Sequence, residues 1–213
     1  MVTMVKYFLD QGKRYMEIHE FLANRLARAG YVDVQIFRTP IGTRLVIYAE
    51  RPAMVIGTRG RTIKELTATL QKKFGIENPQ IDVMEIPNPE LNAKIMAYHI
   101  ARALRRGVKF RRAAFIALRR IMEAGALGAE IVISGKLTSE RARFEKFTAG
   151  TILKSGKPRE VLVDEATVQV LLKPGMYGIK VKIMKPVEPP DRIKIKAPEQ
   201  AGKEGEESGA TKA

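Results

Sequence analysis

Two glycines at positions 57 and 60 separate an apolar lead-in, Val55-Ile56, from a basic helix start. Because glycine lacks a Cβ, such a pair lets the main chain turn sharply and lets a sugar-phosphate strand lie against the backbone. The N-terminus of the following helix offers free N–H groups and the positive end of the helix dipole, which attract an anion. We therefore predict a loop that holds a nucleic-acid backbone. Its expected contacts are Gly57, Thr58, Arg59, Gly60, Arg61 and Lys64.

The residues around this loop alternate between helical and strand periodicity. Apolar side chains at helical spacing predict a first helix that stops at Gly30, a short helix opened by Pro52, and a longer helix over 63–74. Alternating residues predict strands at 32–36, 45–49 and 81–86. The predicted order α, β, β, α, α, β, with the glycine loop between its last two helices, resembles the type II KH domain. KH domains clamp about four nucleotides on a G-x-x-G loop.

An ordinary corner between two helices, in which the glycines only relieve strain, is the alternative for this loop. The apolar residues on both sides and the surrounding element order favour the KH interpretation. A nucleotide-hydrolase phosphate loop is excluded, because the glycines stand too close together and no Gly-Lys-Ser/Thr follows.

The charge of the chain indicates a polyanionic partner. The net charge is +15 over 213 residues, a length suited to one or two domains. Residues 87–185 carry 20 basic and 8 acidic residues, whereas residues 1–86 carry 13 and 9. Most of the electrostatic attraction therefore lies outside the KH-like segment.

The composition predicts three segments. Residues 1–86 form an N-terminal helix and a KH domain, residues 87–185 form a basic α+β domain, and residues 186–213 form a disordered tail. The tail is rich in Pro, Glu, Gly and Lys and cannot bury enough apolar surface to fold. At the N-terminus, Met4, Val5, Phe8 and Leu9 predict a short helix that packs on its neighbours.

Two helices are expected to open the second domain. Asn88 is placed to cap the first, with Pro89 at its first position. The second places Phe110 and Ile121 on an apolar face with arginines opposite. No acidic residue occurs over 91–122, and like charges repel unless a polyanion or salt screens them. This favours an RNA-binding surface over an ordinary solvated helix. Its candidate contacts are Arg105, Arg106, Lys109, Arg111, Arg112, Arg119 and Arg120.

Alternating apolar residues after Gly125 predict a mainly antiparallel sheet with the two helices packed on one face, an α+β layout. Strands are expected at 131–133, within 144–153, from Val161 to Leu172 with a bend near Glu165, and at 179–183. Further RNA-binding candidates on its loops and exposed face are Lys136, Arg141, Arg143 and Lys146.

The chain contains no cysteine, which excludes disulfides and thiolate metal sites and fits a reducing compartment. No apolar run is long enough to span a bilayer, and Met1 to Asp10 is too short for a signal peptide. We therefore expect a cytoplasmic protein without a membrane partner, a metal or an organic cofactor.

Several sequence runs along the chain share one family resemblance. They are V-I-G-T-R-G-R-T-I (55–63), I-P-N-P-E-L-N-A-K (86–94), F-R-R-A-A (110–114), A-L-R-R-I-M (117–122), I-V-I-S-G-K-L (131–137) and G-M-Y-G-I-K-V-K-I-M-K-P (175–186). Together they resemble ribosomal protein S-three of the small subunit, in its archaeal and eukaryotic branch. The resemblance covers roughly residues 5–186 in unbroken order.

This resemblance implies a structural protein of the small ribosomal subunit head. Its members bind small-subunit ribosomal RNA, contact neighbouring head proteins, and line the channel where messenger RNA enters. Arg111 and Arg112 match the arginine pair that bacterial relatives place at that entrance. Those relatives use the group to unwind messenger RNA, and Phe115 stands where they have its third basic residue. The resemblance therefore leaves open whether this unwinding role is retained, since Arg119 and Arg120 lie one to two turns further along and substitute only in part.

Two other classes of protein compete with this interpretation. An enzyme is disfavoured, because His19 and His99 are the only histidines, no cysteine nucleophile exists, and no acidic cluster suggests a two-metal site. A free-standing KH regulator would instead bind short single-stranded sequences of particular messages. Aromatic residues are only 7% of the chain and Trp is absent, which disfavours recognition by a broad stacking platform.

Overall fold

Buried apolar side chains form two separate clusters, one drawn from residues 18–70 and the other from residues 93–183. The structure is a computed structural model that describes residues 4–40, 42–76 and 78–187. From residue 188 onward, the predicted disordered tail lies outside the described residues. Each cluster is the core of one α+β unit.

The first unit has a three-stranded sheet with helices on one face. Its elements are α1 (Met4–Arg25), β1 (Tyr31–Thr39), β2 (Gly42–Ala49), α2 (Pro52–Ile56), α3 (Arg61–Phe74) and β3 (Gln80–Glu85). The central strand β2 pairs antiparallel with β1 and parallel with β3. Ile18 and Leu22 of α1 and Leu66 and Leu70 of α3 recur at helical spacing, and all four are buried against the sheet. The predicted αββααβ order is confirmed, although β3 ends before Ile86.

The expectation of a separate, packed N-terminal helix is wrong. Residues from Met4 onward belong to one continuous 22-residue helix, α1. Met4, Val5, Phe8 and Leu9 are all at least 60% exposed. Within the described residues these side chains belong to neither core.

The second unit has a four-stranded antiparallel sheet of order β5-β4-β7-β6. Its elements are α4 (Ala93–Arg105), α5 (Phe110–Glu123), β4 (Gly128–Gly135), β5 (Arg143–Gly150), α6 (Gly156–Leu162), β6 (Val163–Leu172) and β7 (Gly175–Met184). Ile100 of α4 and Ile121 of α5 pack on Ile131, Ile179 and Val181 of the sheet, all at most 1% exposed. The predicted layout of two helices on one face of an antiparallel sheet is confirmed.

Two local predictions in this unit are wrong. Asn88 opens only a short 3₁₀ turn, and the cap of α4 is Asn92, whose side-chain oxygen accepts from the N–H groups of Lys94 and Ile95. Val161 lies in the helix α6 with its side chain 63% exposed, and β6 starts at Val163 and runs through Glu165 unbroken. The apolar spacing of 161 and 163 suits a strand, but the exposed Val161 receives no packing that would favour one.

Helix α4 also joins the two units. The Lys94 ammonium donates to the carbonyl of Val32 at 2.6 Å, and His99 Nε2 lies 3.0 Å from a carboxylate oxygen of Glu50. Burial lowers the pKa of Lys94, and burial together with the nearby Lys94 charge lowers the pKa of His19. Both histidines of the chain therefore lie at this joint among packing and polar contacts.

Candidate nucleic-acid interface

The predicted glycine loop lies on the surface between α2 and α3. Gly57 has φ 73° and ψ 177°, a region that only glycine readily adopts. Its N–H donates to the Ala53 carbonyl at 2.9 Å and closes α2. A Cβ on Gly57 would lie only 2.7 Å from the Cβ of Thr62. The first glycine is therefore required by both its conformation and its surroundings.

The second half of the loop exposes the start of α3. Thr58–Gly60 form a 3₁₀ turn, and Gly60 is left-handed with φ 72° and ψ 16°. Among the residues that the structure describes, no side chain caps α3, so the positive end of its helix dipole lies at the loop without a capping group. Arg59 has φ 53°, which costs a non-glycine residue about 1–3 kcal/mol and is typical of functional sites. Thr58 and Arg59 are both exposed.

The charges around the loop differ in their availability. Arg61 pairs with Glu65 at 3.1 Å, one helical turn away. Within the described parts of the chain, no carboxylate lies within 4 Å of Arg59 or Lys64. These two cations are therefore available for a phosphate, whereas Arg61 is partly neutralised.

A second basic surface runs along α5, whose buried face carries Ala113, Ala114 and Ile121. We call its exposed cations the α5 ridge: Lys109, Arg111, Arg112, Arg119 and Arg120.

Two members of the α5 ridge have carboxylate partners. Arg111 donates from Nε and Nη2 to Glu145 at 3.0 and 2.9 Å. These hydrogen bonds raise the pKa of Arg111 and hold the pKa of Glu145 below its usual value. Arg119 pairs with Glu123 at 2.7 Å.

Glu145 was not found by sequence reasoning. It lies 34 residues beyond Arg111, and only the register of β5, which places it opposite Ile133, brings it to the face that α5 covers. No local pattern signals such a pair. No acidic residue therefore lies within the segment 91–122, but the fold brings the carboxylate of Glu145 next to the α5 ridge.

An aromatic side chain lies within the same ridge. Phe115 is 59% exposed and meets Phe147 of β5 edge to face, with ring centroids 5.3 Å apart. Phe115 is thus an exposed aromatic ring that Phe147 supports from one side.

The other predicted contacts fall in three places. Arg105 and Arg106 lie exposed at the C-terminal end of α4. Lys136, Arg141 and Arg143 are exposed in or beside the connection between β4 and β5. This connection borders α5, because Lys109 and Arg111 line one cleft with Leu137 and Thr138.

Lys146 is the least available candidate, since its ammonium lies 2.9 Å from Glu130, a carboxylate with a side chain only 10% exposed. The structure therefore groups most second-unit candidates near α5 and leaves the glycine loop as a separate surface on the first unit.

Within the ranges that the structure describes, no group of three or more His, Asp or Glu side chains is placed to hold a metal ion. None of the described helices combines the length and apolarity needed to cross a bilayer.

The Arg111–Glu145 pair leads to a prediction. Glu145→Gln is expected to raise the affinity of the chain for RNA by about threefold to tenfold, because it frees a guanidinium for phosphate. Filter binding or fluorescence anisotropy with a structured RNA measures this. Glu140→Gln, an exposed carboxylate without an ion pair in the described structure, is the charge-matched control. An equal gain in both variants would mean that only net charge is at work.

Comparisons with known proteins agree with the two-unit architecture. Residues 17–91 match the family described as KH domain, and residues 100–183 match the family described as Ribosomal protein S3, C-terminal domain. The small ribosomal subunit protein uS3 of Thermofilum pendens is 60% identical over 202 residues, which cover 95% of this chain and 100% of that protein. The proteins of the same name from Sulfurisphaera tokodaii and Saccharolobus solfataricus are each 51% identical over 196 residues, or 92% of this chain and 87% and 86% of theirs. With relatives this similar along almost its whole length, the chain belongs to the uS3 family of ribosomal proteins.

Proposed function

We propose that this chain is a structural protein of the small ribosomal subunit head. In this role it binds small-subunit ribosomal RNA through the glycine loop and the α5 ridge, and it lines the channel where messenger RNA enters. The uS3 relatives carry the name of small ribosomal subunit proteins, and the chain spans the full length of one of them. As a member of this family, the chain is a ribosomal protein and not an enzyme.

The observation that best supports this proposal is Arg59, which is exposed, has a left-handed backbone conformation and lies just before the uncapped N-terminus of α3. The backbone strain there has no packing function, because Thr58 and Arg59 make no core contact. It does place a guanidinium and the start of α3 on one side of the loop. An RNA backbone offers the phosphates that such a site would bind.

The remaining elements of the proposal follow the same residues. We propose that 1–86 and 87–185 act as two RNA-binding domains, and that backbone contacts fix position while folded shape identifies the RNA. The exposed apolar side chains at the start of α1 suit a contact with a neighbouring head protein.

Sedimentation of the endogenous protein separates this function from a free-standing KH regulator. The proposal predicts that nearly all of the protein moves with small subunits and is released at high salt, because its contacts are mainly ionic. A protein that stays in the light fractions at low salt would contradict the ribosomal role and favour the regulator.

The entrance of messenger RNA gives a second test. Arg111→Ala with Arg112→Ala is expected to lower the slope of log K against log salt by roughly 1, since Arg112 loses a full phosphate contact whereas Arg111, which Glu145 already partly neutralises, contributes only part of one. It is also expected to slow translation through stable hairpins. The measurement compares purified mutant and wild-type ribosomes on a message with and without a hairpin.

Lys13→Ala with Lys72→Ala removes the same charge at exposed positions of α1 and α3, in the other unit, and serves as the control. A normal hairpin rate in the Arg111/Arg112 variant would contradict the role at the entrance while leaving ribosomal RNA binding untouched.

A further inference from the structure

A cleft of about 880 Å³ lies where the two units meet. The end of α1 and the turn after it, the start of α2, the last turns of α4 and the strand β6 line this interdomain cleft. Six of its 16 lining residues are arginines and none is acidic. The arginines are Arg25, Arg28, Arg51, Arg102, Arg105 and Arg106. Only the last two were expected from the sequence to contact RNA.

Few carboxylates neutralise these arginines. Arg51 lies 3.3 Å from Glu50, and Arg25 lies 3.9 Å from Glu65, which also pairs with Arg61. Neither glutamate lines the cleft. In the described structure the other four arginines have no carboxylate within 4 Å, so the cleft keeps a strong positive potential.

Helix ends alone do not explain this clustering. Both α1 and α4 end at the cleft, and a helix C-terminus stabilises a nearby cation by about 0.3–1 kcal/mol. That effect accounts for one arginine at each end. It does not account for Arg28 and Arg51, which lie beyond α1 and before α2, or for three arginines within 102–106, at the end of α4 and its cap.

The lining suits a nucleic-acid backbone. Guanidinium groups present planar forks of N–H donors that match phosphate oxygens, and a concave surface concentrates their field. Asn24 of α1 and Thr167 and Gln169 of β6 add neutral hydrogen-bonding groups to the lining, as ribose hydroxyls require. A single phosphate would fill only part of this volume.

The cleft also continues from the glycine loop. Arg51 and Met54 line the cleft at the start of α2, and Gly57 begins the loop directly after the end of this five-residue helix. A helix of five residues is about 7.5 Å long. The loop and the cleft therefore lie within the length of one short helix, close enough for one RNA strand to contact both.

We propose that the interdomain cleft is a second RNA-backbone site, which both units build and which receives a strand continuing from the glycine loop. This inference rests on the proposed function, because it assigns further RNA contacts to the same protein. The Nη2 group of Arg102 already donates to the carbonyl of Arg28 across the cleft at 3.3 Å. Bound phosphates bridge the same two walls and hold the two units in one relative orientation.

The test uses the full chain and the small-subunit ribosomal RNA, with one charge reversal on each wall. Arg28→Glu and Arg105→Glu are each expected to lower RNA affinity on the order of tenfold and to reduce the salt slope by about 0.7–0.9. In a double-mutant cycle the two effects are coupled, because one strand contacts both walls. Lys13→Glu, exposed in the first half of α1 and outside the cleft, is the control and is expected to bind within twofold of the parent.

Because both arginines are exposed, each variant is expected to keep its fold. An unchanged unfolding temperature checks this. An arginine-directed dicarbonyl reagent then probes the unmutated chain, and RNA is expected to protect the cleft arginines.

Unchanged affinity in the cleft variants, beside a loss of affinity in the loop variant Thr58→Asp with Arg59→Asp, would overturn this inference and leave the ribosomal function standing. Unchanged affinity in both would overturn the two together. Crosslinks from the cleft to a protein, and not to RNA, in assembled subunits would overturn it in favour of an acidic protein segment.

Discussion

Thr58→Asp together with Arg59→Asp is expected to lower the affinity of the chain for small-subunit ribosomal RNA on the order of a hundredfold at low salt. The double change alters the charge of the loop by three units, and one unit charge beside a phosphate at 4 Å contributes about 1 kcal/mol even in water. The introduced carboxylates also lie where the uncapped start of α3 would otherwise attract an anion. Titration by filter binding at two salt concentrations measures both the affinity and its salt slope.

The fold should survive this change, because Thr58 and Arg59 are exposed and belong to neither core. The conservative pair Thr58→Ser with Arg59→Lys keeps the charge and serves as the control, with near-normal affinity expected. Wild-type affinity in the aspartate variant, with an unchanged unfolding temperature, would remove the loop from the RNA interface.

Gly57→Ala is expected to destabilise the chain by about 3 kcal/mol or more, whereas Gly60→Ala is expected to cost only about 1–2 kcal/mol. The two glycines have nearly equal φ, but they differ in ψ and in the space around them. A Cβ on Gly57 would lie 2.7 Å from Thr62 Cβ, while a Cβ on Gly60 has nothing closer than Ile63 at 3.8 Å.

Urea unfolding of the two variants measures this difference, and an unchanged m-value would show that both unfold from the same compact state. Equal costs would mean that backbone conformation alone decides the glycine requirement and that the contact with Thr62 relaxes freely. Gly60→Ala keeps the exposed Arg59 in place. Its RNA affinity therefore shows how the loop binds in a variant that loses little stability.

The sequence predicts the first unit well because its signals are local. Glycines that demand a positive φ, a proline at the start of α2 and apolar residues at helical spacing each act within a few positions. The same holds for the turn at 173–175 and the two helices of the second unit.

The features that could not be predicted from the sequence depend on contacts between residues far apart in the chain. The cap of α4 is Asn92 and not the predicted Asn88, because a 3₁₀ turn that begins at Pro89 comes first and Asp164 accepts the N–H of Ala93 at 2.8 Å. Glu145 reaches Arg111 only through the register of β5.

The interdomain cleft could not be predicted from the sequence for the same reason. Arg28 and Arg105 lie 77 positions apart in the chain and line one cleft only because α4 packs against the first unit. Net charge could indicate a polyanionic partner, but the convergence of arginines from both units is a property of the tertiary structure.

A density map of the small subunit assembled with this chain is the most direct test of the claim that the protein binds the phosphate backbone of RNA. Ribosomal RNA phosphates are expected within hydrogen-bonding distance of the backbone of residues 58–61 and of Arg112 and Arg120 on the α5 ridge. A glycine loop covered by protein or facing open solvent, with the arginines of α5 turned toward carboxylates alone, would contradict this mode of binding.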